Sequence, residues 1–328
     1  MSSTQPIRPL SVGNVVSASI RLFRSHMGQF LGIALKAVGW MALPWIPILL
    51  AVVVFATAMA TLSSAGSSSN PGGLIAFGVL MIPVFLVLLI FCSAKVLTNE
   101  ALISRLAFQD LISQPESTAV AWQQVRKRTW HFWFARLMVG LILGAVSFAF
   151  SLLQNILTAI PQALVGSSSR SGSAAAMLVG LIVLVVLLAN YAVQLWFQAR
   201  FFIPELPIAL EENVTGDQSI VRSWELSKGN AVRISLVILV AGLITVPLFL
   251  LAFVPGIVSL IALAPTMRAG VSPETTAVFT IMGLFGLGFV LVLGLSIFTM
   301  PFWQTIKAVI YYDLRSRREG MGLELRER

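Results

Sequence analysis

A chain of 328 residues that is 57% hydrophobic and only 11% charged, with a mean hydropathy of +0.91, is excluded from the ordinary soluble class, where about a quarter of residues are charged. Most of its length lies in apolar runs, which leaves no stretch for a separate soluble domain of ordinary size, so 1–328 reads as one membrane domain. The net charge of +9 is what basic loops on one side of a membrane produce. No run mixes bases and aromatics away from a membrane boundary, which excludes nucleic acid as a partner.

The chain opens with a helical stretch, Ser11–Met27, in which Val12, Val15, Val16, Ser19 and Phe23 mark one face. The first apolar run, Ala37–Leu62, contains Pro44 and Pro47. It is longer than a signal-peptide core and has no small-residue cleavage site, so it reads as a retained span. An uncharged loop, Ser63–Gly73, leads to span two, Leu74–Leu97. That span holds Cys92, the single cysteine, which permits neither an internal disulfide nor a cysteine-based metal site. A second short stretch, Ser117–Trp130, ends in Arg126-Lys127-Arg128 and precedes span three, Leu137–Ile160. There Gly140 and Gly144 form a GxxxG that favours close helix packing, and Gln154 and Asn155 are expected to bond between helices. The loop around Gly166–Ser173 leads to span four, Ala174–Phe197, with Asn190 and Gln194 as its polar residues. In the segment that follows, Arg200–Asn213, Pro204 and Pro207 bracket Glu205. Proline disrupts the helix there and frees carbonyls, and Glu205 is placed to pair with Arg200. A third short helix, Asp217–Lys228, is expected with Asp217 as its N-cap and Gly229-Asn230 as its stop. Span five, Ile234–Leu263, carries Pro247 and Pro255, which are expected to kink it or split off a short piece, and span six covers Thr276–Met300.

Charge orients these elements. Twenty of the 22 Lys and Arg residues fall in the N-terminal segment, the segments between spans two and three and between four and five, and the tail. The opposite loops carry only Arg170 and Arg268. This asymmetry predicts cytoplasmic N and C termini in a bacterial inner membrane. The expected fold is all-α: six transmembrane helices as three hairpins, each preceded by an amphipathic interfacial helix, in repeat units 1–100, 101–212 and 213–328. The repeat rests on layout, with single cations bracketing each hairpin.

Those cations are the candidate site residues. Lys36, Arg136 and Arg233 stand at span entries and Arg200 and Lys307 at exits, with Trp133 and Trp224 among the boundary aromatics. Snorkelling and an aromatic belt account for them structurally. The functional alternative is contact with lipid headgroups or an anion, with a cation over a ring and a phosphate nearby. Catalysis has little support. His26 and His131 are the only histidines and lie in no metal-ligand motif, and the sequence has neither a phosphate-binding glycine loop nor a GxSxG. No catalytic, cofactor or metal residue is assigned, and no cofactor is expected.

Three stretches, RPLSVGNVVSASIRLFRSHMGQFL (8–31), SIVRSWELSKGNAVRI (219–234) and IYYDLRSRREGMGLEL (310–325), resemble the membrane-domain family named after the glycerophosphoryl diester phosphodiesterase membrane region. The spans between them fit its layout, so the resemblance covers nearly the whole chain. In some relatives such a region precedes a soluble phosphodiesterase barrel. This sequence has no room for that barrel and lacks its His/Glu metal cluster, so the enzymatic half of the family name is not carried over. The expectation is a non-enzymatic membrane protein that organises lipids or partner proteins through its cytoplasmic interfacial helices. Its partners would be membrane lipids, with a membrane-protein partner or a second copy of the chain as further options. The alternative is a transporter or channel for a small or amphiphilic solute, and a membrane-embedded lipid enzyme ranks third.

Overall fold

The computed structural model describes residues 11–64, 72–165, 172–268 and 275–318. The expectations placed on Arg8, Arg170, Arg326 and Arg328, and on the connecting loops, lie outside these residues. All regular structure among the described residues is α-helical: α1 (Val12–Ser25), α2 (Met27–Ala42), α3 (Trp45–Ser64), α4 (Gly72–Leu111), α5 (Thr118–Arg126), α6 (Thr129–Val165), α7 (Gly172–Arg200), α8 (Glu205–Leu210), α9 (Gly216–Ser227), α10 (Ala231–Arg268) and α11 (Thr275–Arg318). Among the described residues, six segments are long and apolar enough to span a membrane: Met27–Ala51, Gly78–Leu111, Thr129–Leu157, Gly180–Leu210, Ala231–Val258 and Gly286–Arg318. The chain is a multi-pass α-helical membrane protein.

The spans reach further into the charged segments than their hydropathy alone indicates. α4 continues past Lys95 to Leu111, and α11 continues through Pro301 to Arg318. Span one starts at Met27, so Lys36 lies along it rather than at its entry. It is α2 and α3 that divide, at Leu43-Pro44, where proline can neither donate to the preceding turn nor clear its carbonyl. Pro247 and Pro255 do not split α10, which runs unbroken from Ala231 to Arg268. A membrane helix tolerates the loss of one donor by local adjustment.

Packing is concentrated at one end. Buried apolar side chains come mainly from α1 (Val15, Leu22), α2 (Phe30, Ile33), α4 (Ile103, Leu106), α8 (Leu206), α10 (Ile234, Val237) and the last turns of α11 (Ile306, Ile310, Leu314). The opposite halves of the spans expose leucines and valines all round, such as Leu243 at 74% and Leu188 at 58%. That is the pattern of helices solvated by lipid. The GxxxG of span three makes no close contact, since a Cβ on Gly140 or Gly144 would meet nothing within 4 Å. Close approach occurs instead at Gly288, whose Cβ would lie 3.0 Å from the Ala252 carbonyl of α10, and at Gly216, whose Cβ would lie 2.8 Å from the His131 carbonyl of α6. Of the polar span residues, Gln194 does bond between helices, reaching Leu143 O at 3.1 Å and the Ser147 hydroxyl. Asn190 leaves its Oδ1 without a partner among the described residues.

The short helices brace the packed end. α1 is capped by Ser11, which accepts from Asn14 N at 3.2 Å, and it lies against α10 and α11. α9 is capped by Thr215 rather than Asp217, in a reciprocal arrangement with Gln218. Asp217 instead accepts a 2.6 Å bond from the Thr215 hydroxyl. That bond holds its carboxyl below the usual carboxylate range. The buried face of α9 is Gly216, Ser219, Ser223, Leu226 and Ser227, small enough to sit tightly on its neighbours. Gly229, with φ +80°, makes the turn into α10.

Candidate functional site

Pro204 and Pro207 determine how the site is assembled. In an uninterrupted helix the Arg200 carbonyl would accept from the N–H of residue 204, which proline lacks. The hydroxyls of Ser223 and Ser227 on α9 take that place, donating at 2.9 and 3.2 Å. α7 therefore ends at Arg200 and the chain restarts as α8, with Glu205 in its first turn. Glu205 faces α11, where it is ion-paired and hydrogen-bonded to Lys307, not to Arg200 as its sequence position suggests. Both partners are over nine-tenths buried, and Lys307 also lies 5.7 Å from the Phe202 ring centre.

Lys307 leads into a cavity of about 600 Å³ to which all six spans contribute. Its charged end holds Glu100 (span two), Arg136 (span three) and Lys307 (span six). Glu100 is hydrogen-bonded to the Gln304 side chain, whose Oε1 accepts from Ser104 Oγ at 2.8 Å. Gln198 adds a further amide, while Leu143, Ile238, Phe249, Met300 and Trp303 supply apolar walls. On α11 the lining runs from Ser296 to Lys307, about 16 Å along a helix axis at 1.5 Å per residue. The hydroxyls of Ser296 and Thr299 donate to the carbonyls of Val292 and Leu295, so they add little polarity to the deeper part. The cavity is therefore amphipathic along its length, with two cations, one carboxylate and two amides at one end and hydrocarbon beyond. Its volume falls in the range of small-molecule sites, roughly 300–1,000 Å³.

The candidate cations divide among different environments. Arg136 and Lys307 share the cavity. Lys36 is exposed on α2 and has no ion-pair partner among the described residues. Arg233 pairs with Asp313, which also receives a two-pronged contact from Arg317 at 2.7 and 2.8 Å. Lys36, Arg136 and Arg233 thus stand in three different settings. Arg200 stacks on Trp224, with its guanidinium 3.9 Å from the ring centre, and approaches Trp196 at 5.6 Å. Trp133 anchors α6 to α4 through Nε1, which donates to Ser93 Oγ at 3.0 Å.

Three elements of the charged end are not evident in the sequence. Glu100 is an isolated carboxylate just past the apolar run of span two, preceded by Thr98 and Asn99 and followed by Ala101 and Leu102, and that isolation is its only local signal. The Arg105–Glu116 pair, at 2.7 Å, locks the α4–α5 connection, while Arg105 also donates to Ala209 O of α8. Arg128 donates to the carbonyls of Ile208 and Glu211 at 2.7 and 2.5 Å. Together these arginines hold α8, and with it Glu205, against α11. Their partners lie about 80 to 100 residues away in the chain, beyond the reach of local pattern. Among the described residues no group of three or more His, Cys, Asp or Glu is placed to hold a metal ion; His26 instead lies 3.7 Å from Asp110. Comparison of the chain with protein-family models, with curated proteins and with solved structures finds no match.

Proposed function

We propose that this chain is a non-enzymatic lipid-handling protein of a bacterial inner membrane, with both termini cytoplasmic, that holds an amphiphile in its central cavity. The observation that carries the reading is the polarity gradient of that cavity. A headgroup bearing an anionic group meets Arg136 and Lys307, its donors meet Glu100 and Gln198, and the start of its hydrocarbon follows Leu143, Phe249 and Met300. The positive-inside asymmetry supports the sidedness. The resemblance to the diesterase-associated membrane family is part of the same proposal. Two of the stretches that carry it supply α1 and α9, the third contributes the last turns of α11, and both α1 and α9 pack against α11.

Native mass spectrometry of gently solubilised protein tests the reading. Gly140 lines the cavity, and a Cβ there meets nothing within 4 Å, so Gly140→Trp places a large ring in the void. Wild type should retain a co-purifying amphiphile that Gly140→Trp loses. Equal retention in both, or none in wild type, would overturn the assignment. A second reading is a carrier for an amphiphilic solute, favoured by the contribution of every span to one cavity. Ligand-dependent flux into proteoliposomes, abolished by Gly140→Trp, would select it.

A further inference from the structure

Arg200 is the least satisfied charge at the packed end. It is 5% exposed, yet its guanidinium has no carboxylate or hydrogen-bond acceptor among the described residues, and its Nε is fully enclosed without a partner. Stacking on Trp224 and Trp196 holds the guanidinium plane but leaves its N–H groups unused. It borders a pocket of about 300 Å³ lined by Trp196, Arg200, Lys228, Gly229, Ala231 and Val232. None of these lining residues is acidic. Lys228 adds an exposed ammonium. Arg318 is brought to the same turn by a 2.7 Å bond from its Nη2 to the Lys228 carbonyl. The first N–H groups of α10, at Ala231, Val232 and Arg233, have no acceptor among the described residues, so a positive helix end adds to the three cations. The outer wall is apolar and open to lipid: Val232 is 70% exposed and Trp196 40%.

A buried arginine, a lysine and unpaired backbone donors around one small pocket suit a tetrahedral oxyanion. The apolar wall beside them puts that oxyanion at the level of lipid headgroups. We infer that this pocket is a phosphate-binding site, distinct from the central cavity, that takes the phosphate of an anionic phospholipid.

The test uses the full chain in a non-ionic detergent, titrated separately with short-chain phosphatidylglycerol, short-chain diacylglycerol and inorganic phosphate, with native mass spectrometry reading bound adducts. All titrations are done in the Gly140→Trp background, so that binding in the central cavity does not contribute. Phosphatidylglycerol should bind saturably, and diacylglycerol should not. Arg200→Gln should weaken phosphatidylglycerol binding about tenfold or more, by loss of charge-assisted bonds. The Arg200 carbonyl, which organises the turn, is untouched by that change. Lys228→Gln, at an exposed position, should weaken binding several-fold and serves as the check if Arg200→Gln folds poorly. Inorganic phosphate binding as tightly as phosphatidylglycerol would support the phosphate site and assign it to a soluble source. Weak or absent inorganic phosphate binding beside tight phosphatidylglycerol binding would assign it to lipid. Unchanged phosphatidylglycerol binding in both Arg200→Gln and Lys228→Gln, or equal binding of diacylglycerol, would overturn the inference whatever the fate of the central cavity.

Discussion

Removing either partner of the Glu205–Lys307 pair should destabilise the protein, but by unequal amounts. Both side chains are about nine-tenths buried, and removing one partner of a buried pair costs about 3–5 kcal/mol. Glu205→Gln keeps the shape and leaves Lys307 facing Glu100 across the charged end of the cavity, so the cost should lie near the lower figure. Lys307→Met removes the cation that both Glu100 and Glu205 face, leaving two carboxylates close together, and it also removes the ammonium near the Phe202 ring. Its cost should lie near the upper figure. A gap of about 2 kcal/mol changes the folded-to-unfolded ratio by about 30-fold. The assay is equilibrium unfolding of purified variants in lipid bicelles. Equal destabilisation by the two substitutions, or a larger effect of Glu205→Gln, would refute the picture of Lys307 as the shared counter-charge.

Gly216→Ala should cost about 1–3 kcal/mol, because the new methyl meets the His131 backbone, whereas Gly144→Ala should fall within about 0.5 kcal/mol, because it meets nothing; thermal unfolding in detergent compares them. Because the folded-state Asp217 carboxyl titrates below its unfolded value, its contribution at the start of α9 should be complete above the usual carboxylate range and be lost as pH falls through the lowered value. Amide exchange across α9 as a function of pH checks this, and Asp217→Asn should remove the dependence. In a Cys92→Ser background, single cysteines replacing Ser67 or Ala269 should react with an impermeant thiol reagent from outside intact cells, while one replacing Ser3 should react only after lysis. Labelling of Ser3→Cys in intact cells would reverse the proposed sidedness.

The all-α class and the six spans are legible because a bilayer imposes its own length and composition on each segment. The boundaries at the charged end are not. Hydropathy ends span two near Leu97, yet the helix continues through Glu100 and Arg105 to Leu111, since those charges are satisfied by the α4–α5 connection, α8 and α11 rather than by water. Local chemistry was partly readable. Pro204 signals a freed carbonyl, and the hydroxyls that fill the vacancy come from α9, far along the chain. Sequence proximity suggested Arg200 for Glu205, but the turn that Pro204 imposes points Glu205 at α11 and leaves Arg200 to the tryptophans. The GxxxG of span three was misleading because spacing of small residues permits close contact without supplying a neighbour.

The confinement of the packed core to one end of the spans has a mechanical consequence. A bilayer that thickens or thins loads the helices at their ends, and helices respond by tilting. Here the halves away from the core bury little against one another, apart from the α10–α11 contact at Ala252 and Gly288, and no residue of span four is buried from Gly180 to Gln198, so most of them can tilt at low cost. The braced halves are tied by ion pairs and by hydroxyl–carbonyl bonds and must move as one body. A change in membrane thickness is therefore absorbed in one leaflet and reaches the charged cavity only weakly, so the spacing between Arg136, Glu100 and Lys307 should be held nearly constant across membranes of different lipid composition.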